Sequence, residues 1–229
     1  MPLKLGLMVP ANNTTMEPEL RAWLDDSPCH TLRIPRGSGL LGPAEIPAYV
    51  EQALELAKNY DPLQTDIVAY GCTAAGFIGG PARDAEIQIK LAAITGKPVV
   101  TTASAMIAVL KHIGARRVAV VTPYLDLVNE RLRNYLQQSG IAVTRLQSFK
   151  AETTDELAAI TPQQITALAH ETMTPDADAM FIACSQLPTK DILDDLERGF
   201  GKPVWSSIKA TAWHAQRVMA DKAAVQPAV

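Results

Sequence analysis

The segment Lys4-Leu-Gly-Leu-Met-Val-Pro10 returns as Arg117-Val-Ala-Val-Val-Thr-Pro123, 113 positions later. Two further landmarks repeat in the same order: Cys72 and Cys184 lie 112 positions apart, and Gly96-Lys-Pro-Val99 recurs as Gly201-Lys-Pro-Val204 at 105. Three matched landmarks in 229 residues indicate an internal duplication. Each half alternates short apolar runs with amphipathic segments, so each is expected to form a βαβ lobe, a mostly parallel sheet flanked by helices. The expected class is α/β: two similar lobes related by a pseudo-twofold axis. The last helix, Lys209 to Met219, follows the second lobe's final strand as Ser104 to Ile113 follows the first's. Residues 1–103 with 208–229 are therefore assigned to one lobe and 104–207 to the other, with the functional cleft between them.

Within that frame two stretches stand out. Ile67 to Tyr70 reads as a buried strand that stops at Gly71-Cys72-Thr73, with small residues behind it that can open a helix. Met180 to Ala183 stops in the same way at Cys184-Ser185-Gln186. In an open α/β sheet, ligands bind outside the carboxyl ends of the strands. A helix N-terminus there favours an anion, a thiolate included. Two cysteines in matching positions place one sulfur on each side of one site.

The remaining elements are read more simply. Leu3 to Val9 is a strand, and Thr14 or Thr15 is expected to cap a helix from Met16 to Leu24. Thr31 to Ile34 is a short strand, and Arg36 to Pro43 a loop that could cover a pocket. Ile46 to Asn59 is amphipathic at helical spacing, with Tyr49 near its start. Ala82 to Thr95 is a helix closed by Gly96, and Val99 to Thr101 a strand. Ala220 to Val229 is expected to be a frayed tail.

Composition excludes several classes. The net charge of −3, with no basic run, argues against nucleic acid or an anionic membrane surface as partner. No apolar run approaches the ~20 residues that span a bilayer, and the N-terminus lacks a signal-peptide layout, so a cytoplasmic location is expected. Three cysteines are too few for a disulfide scaffold and are expected to be free thiols. Without a CxxC, and with four scattered histidines, no metal site is expected. His170 and His214 fall on helices away from strand ends and read as surface or packing residues. The Gly37/Gly39/Gly42 loop does not have dinucleotide spacing, and there is no P-loop or Gly-x-Ser-x-Gly elbow.

Two facing thiols fit two reactions without a cofactor. One is proton removal from one face of a carbon and return on the other, a racemisation, with helix ends lowering the thiol pKa. In the other, a thiolate adds to an activated alkene, the carbon–carbon bond rotates, and the thiolate leaves. Either needs donors for a carboxylate and its enolate-like form. Candidates are the Asn12-Asn13-Thr14-Thr15 loop with Pro10 before it, Tyr124, and the Thr73, Ala74, Ser185 and Gln186 amides. Each has a plainer alternative: a cysteine in an apolar run is often a small core residue, which is the better reading for Cys29. Asn13 could equally be a turn or cap residue, and Tyr124 could simply pack over a helix start. A protein that only binds carboxylates, without turnover, is the alternative outside enzymes. The expected partner is a small carboxylic acid; the sequence is also compatible with a homo-oligomer.

With these residues in view, the chain resembles the aspartate/glutamate/hydantoin racemase superfamily, in its maleate cis-trans isomerase and arylmalonate decarboxylase branch, over nearly its whole length. Gly6-Leu-Met-Val-Pro-Ala-Asn-Asn-Thr-Thr-Met-Glu-Pro-Glu19 resembles the isomerase opening loop, and Gly71-Cys-Thr73 and Ala183-Cys-Ser-Gln-Leu-Pro-Thr189 its two cysteine motifs. Thr122 to Arg131 resembles a segment whose tyrosine binds a substrate carboxylate. The resemblance implies a two-lobed fold, no cofactor, Cys72 as nucleophile, Cys184 as proton donor, and Tyr124 and Asn13 as carboxylate ligands. Two departures accompany it. The decarboxylases carry glycine where this chain has Cys72, and the isomerases hold the second carboxylate with an asparagine, which Ala151-Glu-Thr-Thr-Asp155 lacks.

Overall fold

The computed structural model describes residues 3–36, 39 and 41–225. Two four-stranded parallel sheets repeat one topology. The first has the order β2-β1-β3-β4, with β1 Leu5–Pro10, β2 Cys29–Ile34, β3 Ile67–Tyr70 and β4 Val99–Thr101. The second has the order β6-β5-β7-β8, with β5 Arg117–Thr122, β6 Ala142–Ser148, β7 Ala179–Ile182 and β8 Val204–Ser206. The inner strands β1, β3 and β7 are buried at every position, as expected of continuous apolar runs covered on both faces.

The duplication extends to hydrogen bonds that hydrophobic pattern does not encode. The Asp66 carboxylate accepts the Lys4 N–H at 2.9 Å, and the Asp178 carboxylate accepts the Arg117 N–H at 2.8 Å. Both helices that feed the last strands end on a left-handed glycine, Gly96 at φ 66° and Gly201 at φ 61°.

Helices α1 (Met16–Trp23), α2 (Ile46–Ala57), α3 (Thr73–Phe77), α4 (Pro81–Thr95) and α5 (Thr102–His112) belong to the first half of the chain. The second half carries α6 (Asp126–Gln138), α7 (Thr154–Ala158), α8 (Pro162–Thr172), α9 (Leu193–Phe200) and α10 (Ser207–Val225). Helix α10 crosses back to pack on α1, α5 and the edge of the first sheet. Its Ile208, Ala212 and Ala215 bury one face of that sheet together with Leu5, Leu7 and Val9. A larger apolar core runs continuously from Tyr70, Phe77 and Met106 to Val120, Leu132 and Phe181, joining the two halves. It includes one buried acid: Asp84 of α4 accepts from Thr101 Oγ1 at 2.7 Å and from the Tyr135 hydroxyl of α6 at 3.0 Å. Burial pushes the Asp84 carboxyl up to about 6.

Three sequence expectations are corrected. Neither Thr14 nor Thr15 caps α1 through its side chain. Asn13 does so instead, its Oδ1 accepting the Thr15 and Met16 N–H groups at 3.1 and 2.9 Å. No helix starts at Cys184, which is followed by a turn; α9 begins only at Leu193. The expected frayed tail from Ala220 is helical through Val225, and residues 226–229 lie outside the described set. The expected loop from Arg36 to Pro43 is described only at Arg36, Gly39 and residues 41–43. Gly39 pairs with Thr153 in an isolated antiparallel bridge, tying that loop to the second half. Among the described residues no helix is long and apolar enough to cross a membrane, and no group of three His, Cys, Asp or Glu side chains could hold a metal ion.

Candidate active site

β3 and β7 end at Tyr70 and Ile182, two residues short of Cys72 and Cys184, so both sulfurs sit beyond carboxyl strand ends. They line one cavity between the halves and are 5 % and 7 % exposed. Pro10, Asn13, Thr73, Ala74, Tyr124, Ser185 and Gln186 line it too. Of the opening loop, Asn12 joins them, whereas Thr14 and Thr15 do not line the cavity.

The approach to Cys72 is narrow. A Cβ on Gly71 would come within 2.5 Å of Met16 Sδ and 2.9 Å of the Met8 carbonyl oxygen, so glycine is required there by close packing. Cys72 is the N-cap of α3, and the Ala74 and Ala75 N–H groups point towards its sulfur. At Cys184 one backbone donor serves, the Gln186 N–H at 3.4 Å. The two half-sites are therefore unequal despite the duplication.

The expectation of acidified thiols is also corrected. Burial dominates at both sulfurs and raises both above the usual thiol range. At Cys72 the Ala75 N–H, the Arg36 guanidinium, the Tyr49 hydroxyl and the Ala74 N–H oppose it without overcoming it. Burial pushes Cys184 up to about 11 against the Gln186 N–H, the Tyr124 hydroxyl and Arg36, and negative charge on Cys72 adds to the rise. Ionising one sulfur thus resists ionising the other.

Tyr124 is buried and its hydroxyl lies against Cys184 and Thr73 with no well-formed hydrogen bond. Its ring packs edge-on to Phe77 at 5.6 Å, which holds it in place. An oriented, unspent donor between two thiols is suited to a ligand oxygen.

Asn13 behaves differently. Its Oδ1 caps α1, and its Nδ2 donates to the Ser185 carbonyl and Oγ at 3.2 and 3.1 Å. Ser185 Oγ in turn donates to the Gly71 carbonyl at 2.6 Å. Thr14 and Gln186 are paired both ways, N–H to Oε1 at 3.1 Å and Nε2 to Oγ1 at 3.2 Å. The polar groups of Asn13 and Ser185 are engaged in holding the two cysteine turns together.

The sequence places Arg36 only at the start of a covering loop and Tyr49 only near a helix start, and marks neither as a site residue. Arg36 lines the cavity, and the Tyr49 hydroxyl is buried against Cys72 without a hydrogen bond. Tyr49 lies on the inner face of α2, a signal any helical projection gives. Arg36 gave none, because nothing local aims a loop arginine inward.

A family model described as arylmalonate decarboxylase matches residues 5–228. The chain belongs to the arylmalonate decarboxylase family. The family's arylmalonate decarboxylase from Bordetella bronchiseptica is 29 % identical over 193 residues, covering 83 % of this chain and 80 % of that one. The crystal structure of a maleate isomerase from Pseudomonas putida superposes with a TM-score of 0.90 at 26 % identity, covering 95 % and 93 % of the two chains. A maleate cis-trans isomerase from Nocardia farcinica, a cysteine-to-serine variant with a covalently bound succinylcysteine intermediate, superposes at 0.88 and 26 %, covering 95 % and 93 %. The chain is therefore an enzyme, whose relatives include an arylmalonate decarboxylase and maleate isomerases.

Proposed function

We propose that this family member is a cofactor-independent cis-trans isomerase of a small unsaturated dicarboxylate, working through Cys72 and Cys184. The observation that carries the reading is the pair of buried, unequal thiols on one cavity with an unspent tyrosine hydroxyl beside them.

The reaction begins with Cys72 ionised and Cys184 protonated. The Cys72 sulfur forms a bond to one alkene carbon, and the π pair moves to the neighbouring carbon and its carboxylate. Tyr124 and the backbone N–H groups beyond Cys72 and Cys184 donate to the oxygens that gain charge. Cys184 gives its proton to the neighbouring carbon, leaving a thioether on Cys72 and a thiolate at Cys184. The single carbon–carbon bond rotates. Cys184 then takes a proton back, the carbon–sulfur bond breaks, and the trans alkene leaves with both sulfurs restored. The succinylcysteine of the Nocardia farcinica relative is an adduct of this type.

The unequal sulfurs favour this scheme over a racemase, in which each thiol must act as base in one direction. Cys72 itself favours it over decarboxylation, since the resemblance puts glycine at that position in the decarboxylases. The test is proton NMR in deuterated water against a panel of small carboxylic acids. A change of alkene geometry supports the proposal; deuterium entering a stereocentre, or carbon dioxide release, replaces it.

A further inference from the structure

Of the described residues lining the cavity, Arg36 alone carries a charge. Among the described residues its buried Nε has no hydrogen-bond partner, while Nη2 donates to the Gly39 carbonyl. Among the described residues Arg36 makes no ion pair. Glu45, the carboxylate on the same stretch of loop, is taken up by the Gly42 N–H at 2.9 Å. A half-buried guanidinium with an orphaned donor and no counter-ion is costly to keep, and a planar fork of donors matches a carboxylate. The fork is also anchored: Nη2 holds Gly39, and Gly39 pairs with Thr153 at the start of α7.

We propose that Arg36 selects for a second carboxylate, binding the one distal to Tyr124, and so makes this site a dicarboxylate site. This rests on the isomerase reading for the identity of the ligand, but not for the fact of binding. Arg36 also bears on both sulfurs, where its charge favours ionisation. A role confined to that effect would leave no preference between a dicarboxylate and its monoamide.

Calorimetry with succinate and with its monoamide, succinamate, separates the cases, because neither can be isomerised. Wild type is expected to bind succinate about 10- to 100-fold more tightly than succinamate, the range for a charge-assisted hydrogen-bonded pair. Arg36→Met should bring succinate down to the succinamate level and leave succinamate unchanged. Arg36→Lys, which keeps charge but loses the fork, should retain part of the preference. Thermal melting checks that each variant is folded. A preference that survives Arg36→Met, or its absence in wild type, overturns the proposal. An Arg36-dependent preference in an enzyme that fails to isomerise any cis alkene leaves it standing and removes the isomerase reading instead.

Discussion

The hydroxyl of Ser185 donates to the carbonyl oxygen of Gly71 across 2.6 Å. The residue after one cysteine is thereby bonded to the residue before the other, 114 positions away. The separation of the two sulfurs is thus set by a direct bond between their own turns, reinforced by Asn13, and does not depend on lobe packing alone.

Ser185→Ala removes that bond and leaves the Gly71 carbonyl buried without a donor. An unsatisfied buried group costs about 1–3 kcal/mol, which for a chain of this size lowers Tm by roughly 2–4 °C per kcal/mol. Calorimetry should register a fall of several degrees, together with reduced turnover. An unchanged Tm would mean that the hydroxyl contributes nothing to the junction.

The two cysteines should fail differently. Cys72→Ser should abolish isomerisation, because a serine hydroxyl with no adjacent base stays protonated and is a poor nucleophile. Cys184→Ser should keep some addition, and intact-mass analysis with substrate should find an adduct on Cys72. One-sided hydrogen exchange in both variants, without any mass increase, would favour the racemase.

Because burial raises the Cys72 thiol, its ionised form is a minority near neutral pH. Turnover needs that form, so kcat/KM should climb about tenfold per pH unit from pH 6 to 8. It should fall only as Cys184, raised to about 11, loses the proton it must donate. A flat profile between pH 6 and 8 would place the Cys72 thiolate already formed in the free enzyme.

Tyr124→Phe deletes the unspent hydroxyl and keeps the ring on Phe77. Losing a charge-assisted hydrogen bond in the transition state costs about 1.5–3 kcal/mol, or roughly 10- to 100-fold in kcat/KM. Steady-state kinetics with an unchanged Tm would assign the loss to chemistry, and no loss would remove Tyr124 from the reaction.

Much of this was legible in the sequence. The strands β3 and β4 begin and end where apolar runs and the Gly-Lys-Pro punctuation predict, and the duplication led directly to two sulfurs on one cavity. What pattern could not supply was the sign of competing effects. A helix end beside Cys72 argues for a thiolate, yet burial outweighs it, and that burial depends on both halves closing together. Asn13 illustrates the same limit. Its type suits a ligand or a cap equally, and only the placement of Ser185 reveals that both ends of its amide are occupied. Arg36 turns inward by a contact with Gly39 that no local periodicity encodes.

The crowding around Gly71 has an evolutionary corollary. Any side chain there would collide with Met8, Val9 and Met16, whereas a Cβ at Gly39 meets nothing within 4 Å. Mutational drift is therefore barred on the strand-end wall of the cavity and permitted on the wall built by the loop after β2. New substrate ranges should arise by exchange at positions such as Arg36 and Leu41, and a mutant library aimed there would keep its folded fraction high while varying which acids it accepts.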